Sequence, residues 1–300
     1  MTTVTVCVAT YRRPDGLRKL LESLAQQVDA PDFEIVVVDN DEEQTAKAVV
    51  DAFNGGVPIR YFVEPRRGLA RVRNRAVAAS TATFVAFIDD DEWAISHWLA
   101  TLFRTAEDSS ADAVIGPVQI AFGSDIPVYI QRCRLFEVSR IPDGAVVPWY
   151  ATRTGNALVR RLSLPDLKSP FGVNYDHTGG EDVDLFRRMI EAGANIRASS
   201  SALVYEYRTG RRADFRWVLK RATRNGATIA DIEWRHVSGR AKLNNGLAAV
   251  LRVPIHICRA AVAWPRDRVL GLHHLIDAAE GLGKFAHVLG ISIEEYRTHA

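Results

Sequence analysis

Apolar and polar positions alternate in blocks along the first half of the chain. Val4 to Ala9 is a short apolar run that predicts a strand. Pro14 then suits the first turn of a helix, and Leu17, Leu20, Leu21 and Leu24 recur at i, i+3, i+4 and i+7. Phe33 to Val38 is apolar throughout, as expected of a strand covered on both faces. Glu42 to Phe53 predicts a helix, Ile59 to Val63 a strand, Leu69 to Ala79 a helix after the break at Gly68, and Thr83 to Ile88 a strand. Ile95, Trp98, Leu99 and Leu102 mark a further helix, and Ala113 to Val118 a further strand. This βαβαβαβαβ order predicts an α/β fold, a mostly parallel sheet with helices on both faces.

Beyond it, residues 120–150 carry Pro127, Pro142 and Pro148 and suit a loop over the site. Asn156 to Val159 predicts a strand, and Glu181 to Ala192 a helix with Val183, Phe186, Met189 and Ile190 as its apolar stripe. From about residue 207 the pattern is helical and basic. Two domains are therefore expected: residues 1–206, and a C-terminal helical extension, 207–300.

Charge sharpens that division. The formal net charge is only +2, yet residues 207–270 hold fourteen Lys and Arg against four Asp and Glu. A basic C-terminal third implies an anionic partner or a solvated basic face. Cys7, Cys133 and Cys258 are odd in number and scattered, which argues against a disulfide framework and for a reducing compartment. No stretch approaches 18 uninterrupted apolar residues and the N-terminus lacks a leader pattern, so neither a transmembrane helix nor a signal peptide is expected.

The chemistry gathers at strand ends. Three predicted strands run into Thr10-Tyr11-Arg12, Asp39-Asn40-Asp41 and Asp89-Asp90-Asp91, and ligands of parallel sheets sit outside such ends. The apolar run FVAFI stops in four acids, Asp89 to Glu92. Like charges about 6 Å apart repel by about 3 kcal/mol at an effective dielectric near 20. A divalent cation, Mg²⁺ or Mn²⁺, would relieve this, shared between carboxylates and substrate phosphates. Residues two apart on an extended chain point the same way, so Asp89 and Asp91 are expected to face one ion while Asp90 faces elsewhere. A solvated acidic turn would use the same residues.

A second acidic group, Glu181-Asp182, follows Gly179-Gly180 at a helix start. Acids there are favoured by the helix dipole, and one kept ionised could take a proton from an acceptor hydroxyl. Neither GxGxxG after the first strand nor GxxxxGK[ST] is present, so phosphate must be held by metal and side chains.

Six segments in order, VATYRRP (8–14), VVVDND (36–41), EPRRGLARVRNRA (64–76), FVAFIDDDEW (84–93), TGNALVRR (154–161) and GGEDVDLFRR (179–188), resemble glycosyltransferase family 2 with its GT-A fold, over roughly residues 4–210. The resemblance implies an inverting transfer of one sugar from a nucleotide-sugar, usually a UDP-sugar, to a hydroxyl of a saccharide or lipid-linked saccharide in cell-surface polysaccharide or glycolipid synthesis. It implies that Thr10, Tyr11 and Arg12 border the nucleotide, that Asp39 accepts a hydrogen bond from the base, and that Arg73 and Asn74 line the donor pocket. It further implies metal ligation by Asp89 and Asp91, a ribose or sugar contact by Asp90, catalysis by Asp182 as base, and acceptor holding by Glu181. Processive members carry Gln-x-x-Arg-Trp. Here Ala213 stands where Gln would, before Arg216-Trp217, so single addition is expected.

A non-catalytic nucleotide-sugar-binding protein or a nucleotidyltransferase on a similar sheet is the alternative. The basic region, with apolar Leu247 to Ala263, suits an anionic membrane surface, an acceptor or a homodimer contact, and no nucleic-acid module is recognisable. The expected location is cytoplasmic, peripheral on the inner face of the membrane.

Overall fold

The structure is a computed structural model that describes residues 2–138 and 141–294, without the side chain of Arg211. In chain order its elements are β1 (Val4–Thr10), α1 (Pro14–Ala25), β2 (Phe33–Asp39), α2 (Lys47–Asp51), β3 (Ile59–Val63), α3 (Leu69–Ala79), β4 (Phe84–Asp89), β5 (Glu92–Ala94), α4 (Trp98–Asp108), β6 (Ala113–Ile115), β7 (Val118–Phe122), α5 (Val128–Gln131), β8 (Asn156–Arg160), α6 (Glu181–Glu191), β9 (Ile196–Ala198), β10 (Val204–Arg208), α7 (Phe215–Glu233), α8 (Gly239–Leu251), α9 (Val253–Ala263) and α10 (Arg268–Val288).

The main sheet has seven strands in the order β3-β2-β1-β4-β8-β6-β9. Strands β3, β2, β1 and β4 are mutually parallel, and β6 is parallel to β9. Strand β8 runs antiparallel to both β4 and β6. The sheet is thus mostly parallel, as expected. A second sheet takes β5, β10 and β7.

Burial explains the continuous apolar runs. Cys7, Val36, Val38, Val85 and Phe87 pack with α3 and α6 through Val72, Val77, Leu185, Phe186 and Met189. The intervening Val6, Val8, Ile35, Val37, Ala86 and Ile88 are equally buried, so both faces need cover. Leu17, Leu20, Leu21 and Leu24 of α1 are likewise buried, each contributing about 2 kcal/mol of apolar burial.

Four local expectations are corrected. The helix expected from Glu42 to Phe53 shrinks to Lys47–Asp51, because residues 41–46 form a turn around Asp39, with Gln44 at φ 55°. The strand expected from Ala113 to Val118 is two strands, broken at Gly116-Pro117. A Cβ on Gly116 would stand 2.3 Å from the Asn156 amide nitrogen, so only glycine fits that crossing. Strand β5 was not expected, and α4 begins at Trp98 rather than at Ile95.

By contacts the chain falls into two units. One comprises residues 1–119, 138–176 and 181–206; the other comprises 120–137, 177–180 and 207–300. In the second, α7 and α10 cross closely: a Cβ on Gly226 would meet the Glu280 carbonyl, and one on Gly283 the Thr223 carbonyl. Its core joins Ile126, Ile130 and Cys133 to Val218, Leu272 and Ile276. Asp214 caps α7 and Asp267 caps α10. The run of α8 and α9, Gly239–Ala263, is 25 residues long and contains an 18-residue window of mean hydropathy 1.5 that is 17% buried, long and apolar enough to cross a membrane by length and composition alone.

Candidate active site

The chain winds outward from β1 through β2 to β3, then returns to place β4 on the other side of β1. The carboxyl ends of β1 and β4 therefore flank the topological switch, where open α/β sheets bind ligands. The register aligns Thr10 with Asp39 and Ala9 with Asp89, so the three polar strand ends share one rim. Across the switch, the Thr10 hydroxyl donates to Asp90 Oδ2 at 2.9 Å.

Two arginines hold the acids of this rim, and sequence reasoning missed one of them. Arg13 reaches Asp90 Oδ1 and Asp91 Oδ2, both at 2.8 Å. Burial alone would lower the Arg13 pKa, but Asp90 and Asp91 raise it above the usual arginine value. Arg73 spans Asp89, at 3.0 Å, and Glu181, which it also contacts directly. Burial lifts the Asp90 carboxyl to about 6 against the pull of Arg13. Glu92, buried and accepting from the Asp89 amide at 2.9 Å, is pushed well above the carboxylate range by burial first, then by Asp89 and Glu206. Only a tertiary fold brings Arg13 to residues 77 and 78 positions away, so no local motif signals it.

Several residues expected to touch donor are occupied in building the rim. Asp39 is fully buried and accepts from the amides of Asp41 and Ala46 and from the Tyr61 hydroxyl. Burial and that bond raise the Tyr61 pKa. Asn74 donates to Ser169 Oγ and the Phe171 carbonyl and accepts from the Phe171 amide, so it braces residues 169–171. Asp90 is turned inward and pins the Thr10–Arg13 corner. Tyr11 and Arg12 stay accessible: Arg12, at φ 51°, forks onto Asp41 at 3.1 and 3.2 Å, and Arg67 lies 3.3 Å from the Tyr11 ring centroid. Gly68 permits the neighbouring turn. Its φ is 144°, and a Cβ there would lie 2.2 Å from the Asp176 side chain, which Arg71 holds at 2.8 Å.

Helix α6 brings three acids in its first turn. Glu181 is buried against Arg73, and Asp184 is buried and paired with Arg188 at 2.9 Å. Asp182 is half-buried, and its Oδ1 accepts from the Val183 amide. Because Arg73 touches both Asp89 and Glu181, the start of α6 stands beside the end of β4.

The rim fits a hard divalent cation. Asp90 and Asp91 share one nitrogen of Arg13 while Asp89 pairs with Arg73, and the side chains of Asp89 and Asp91 retain 40% and 23% exposure. Two carboxylates suit Mg²⁺ or Mn²⁺, which take remaining positions from water and phosphate. Among the described residues these acids do not converge as a three-ligand cage.

An open, mostly parallel sheet with carboxylates on its switch-point rim and a second acidic helix start beside it defines an α/β transferase of the GT-A kind. The family model for glycosyl transferase family 2 matches residues 5–157. The succinoglycan biosynthesis protein ExoM of Rhizobium meliloti (strain 1021) is 35% identical over 75% of this chain and 73% of its own length. Pre-mycofactocin glycosyltransferase of Mycobacterium tuberculosis is 29% identical over 80% of this chain, which spans about half that relative's length (49%). Crystal structures of S. aureus TarS 1-349 with UDP and with UDP-GlcNAc superpose with TM-scores of 0.55 and 0.56, at 16% and 17% identity, covering 92% and 97% of this chain and 90% and 93% of TarS. The chain belongs to glycosyl transferase family 2. It is therefore a glycosyltransferase enzyme, with relatives in polysaccharide biosynthesis.

Proposed function

We propose that the protein transfers one sugar, with inversion, from a UDP-sugar to a hydroxyl of a saccharide or lipid-linked saccharide during cell-surface polysaccharide or glycolipid synthesis. The observation that carries this is Arg73, which holds the rim carboxylate Asp89 and the α6 carboxylate Glu181 at once. It sets a phosphate-and-metal edge beside a base-bearing helix. A uridine donor is supported by the TarS complexes with UDP and UDP-GlcNAc. A polysaccharide acceptor is supported by the succinoglycan relative.

Asp89 and Asp91 would hold Mg²⁺ or Mn²⁺, which when bound offsets charge on the departing diphosphate. Thr10, Tyr11 and Arg12 border the nucleotide. Asp182 takes the acceptor proton; the freed oxygen bonds to the anomeric carbon as the bond to the diphosphate breaks on the opposite face. Arg73 keeps the two acidic groups in register, and Glu181 acts through it. Addition is single because Ala213 occupies the position where processive enzymes carry Gln.

A nucleotide-release assay over a panel of nucleotide-sugars with Mn²⁺ tests the reading. One UDP-sugar is expected to be turned over, and Asp91→Asn to lower that rate at least 100-fold. Turnover independent of both metal and Asp91 overturns the metal assignment, and release confined to a non-uridine donor overturns the uridine one.

The same reading puts the α8–α9 run against an anionic membrane. Leu251, Ile255, Ile257 and Val262 are 50–73% exposed, and residues 239–266 hold five Lys and Arg with no Asp or Glu. The protein should float with anionic but not neutral vesicles, and high salt should release it. Equal recovery with both vesicle types removes the electrostatic part of this proposal.

A further inference from the structure

The second unit carries a cluster that the transfer reaction does not use. His256 of α9 and His274 and Asp277 of α10 each offer one ligand atom, all within 4.8 Å of one another. His256 Nδ1 lies 3.4 Å, and His274 Nδ1 3.9 Å, from the same oxygen, Asp277 Oδ2. Both ring nitrogens are buried, and neither makes a hydrogen bond. Buried polar atoms are nearly always satisfied, so two orphan nitrogens aimed at one carboxylate oxygen call for a shared partner.

We propose that this cluster binds a divalent transition-metal ion of the zinc class through His256 Nδ1, His274 Nδ1 and Asp277 Oδ2. Tetrahedral zinc with bonds near 2.0–2.1 Å needs ligand atoms about 3.4 Å apart. The His256–Asp277 edge already has that length, and the other two edges must close by about 1.4 Å at most, within the reach of side-chain rotation. Imidazole nitrogens select zinc, nickel or copper over magnesium, which separates this site by chemistry from the all-carboxylate rim.

The surroundings are those of an oriented ligand set. Arg134 holds the other oxygen of Asp277, leaving Oδ2 towards the histidines, and bonds Glu280 at 3.0 Å. The Arg134 amide donates to His273 Nε2 at 3.2 Å. Such outer contacts fix a ligating carboxylate in its useful rotamer. Spacing explains why the sequence did not flag the site. His274 and Asp277 are i,i+3 on one helix, but His256 comes from the preceding helix, and adjacent His273 obscures the pattern. A bound ion would cross-link α9 to α10.

The test uses untagged full-length protein stripped with chelator and titrated with zinc chloride by calorimetry and thermal melting. One zinc per chain and a raised Tm are expected, with His274→Gln weakening zinc affinity at least tenfold. Asp91→Asn should bind zinc as the unaltered protein does. Absence of zinc uptake, or uptake unchanged by His274→Gln, overturns the proposal; so does uptake lost with Asp91→Asn, which would assign the ion to the rim. Should His274→Gln fail to fold, Co²⁺ added to the unaltered protein decides. Strong visible bands of a four-coordinate ion support the site, and only weak six-coordinate bands overturn it.

Discussion

Arg73→Leu should lower unfolding free energy by about 3–5 kcal/mol, the cost of removing one partner from a buried ion pair. Arg73 is 5% exposed and Glu181 3%, so the substitution removes the cation from a buried ion pair. It also withdraws the cation from Asp89 and the guanidinium that lies 5.9 Å from the Phe171 ring centroid. Against a typical total of about 5–15 kcal/mol, such a loss is a large fraction of the stability of the fold. The double variant Arg73→Leu, Glu181→Leu separates charge from packing. With both charges gone, a well-packed apolar pair should recover most of the stability, since desolvating the pair was itself costly. Urea unfolding measures both, and a single variant within 1 kcal/mol of the parent, about the value of an exposed pair, would show that the contact is solvent-screened. Even with stability restored, the double variant should transfer sugar poorly, because the tie between the end of β4 and the start of α6 is gone.

The rim shows how far sequence reasoning reached. Apolar runs located β1 to β4, and their polar ends named one edge, because a strand covered on both faces is apolar until it meets the ligand side. Opposite-sign neutralisation was also foreseeable in kind: four acids in a row need positive charge. Its source was not foreseeable. Arg13 and Arg73 supply it from elements remote in sequence, and burial raises the pKa of Glu92. The same limit hid the direction of β8, since an apolar strand pattern is alike for parallel and antiparallel neighbours. Polar residues with motif-like spacing posed the opposite difficulty. Asp39, Asn74 and Asp90 were expected at the ligand, and the structure spends their hydrogen bonds on the turns that shape the site. Asp and Asn commonly close such turns, so a motif cannot distinguish a contact residue from the residue that positions it.

Asp182→Asn should reduce turnover by 100- to 10,000-fold while leaving UDP-sugar binding within about twofold, the range expected when a general base is removed without altering shape. The three acids that open α6 are not equivalent. Glu181 is committed to Arg73 and Asp184 to Arg188, whereas the described contacts of Asp182 include no cation. In the proposed mechanism its half-buried carboxylate is the one that receives the proton. The amide of Asn keeps a carbonyl oxygen to accept from the Val183 amide, so the helix start should survive and stability should change little. Loss should appear equally in kcat and kcat/KM, the signature of an interaction made only in the transition state. Asp184→Asn serves as the contrast: it loosens the pairing with Arg188 and should cost stability with little change in turnover per folded molecule. If Asp182→Asn retains more than a tenth of the parent rate, the base lies elsewhere. If Asp184→Asn instead shows the selective kinetic loss, the proton passes through the neighbouring turn of the same helix.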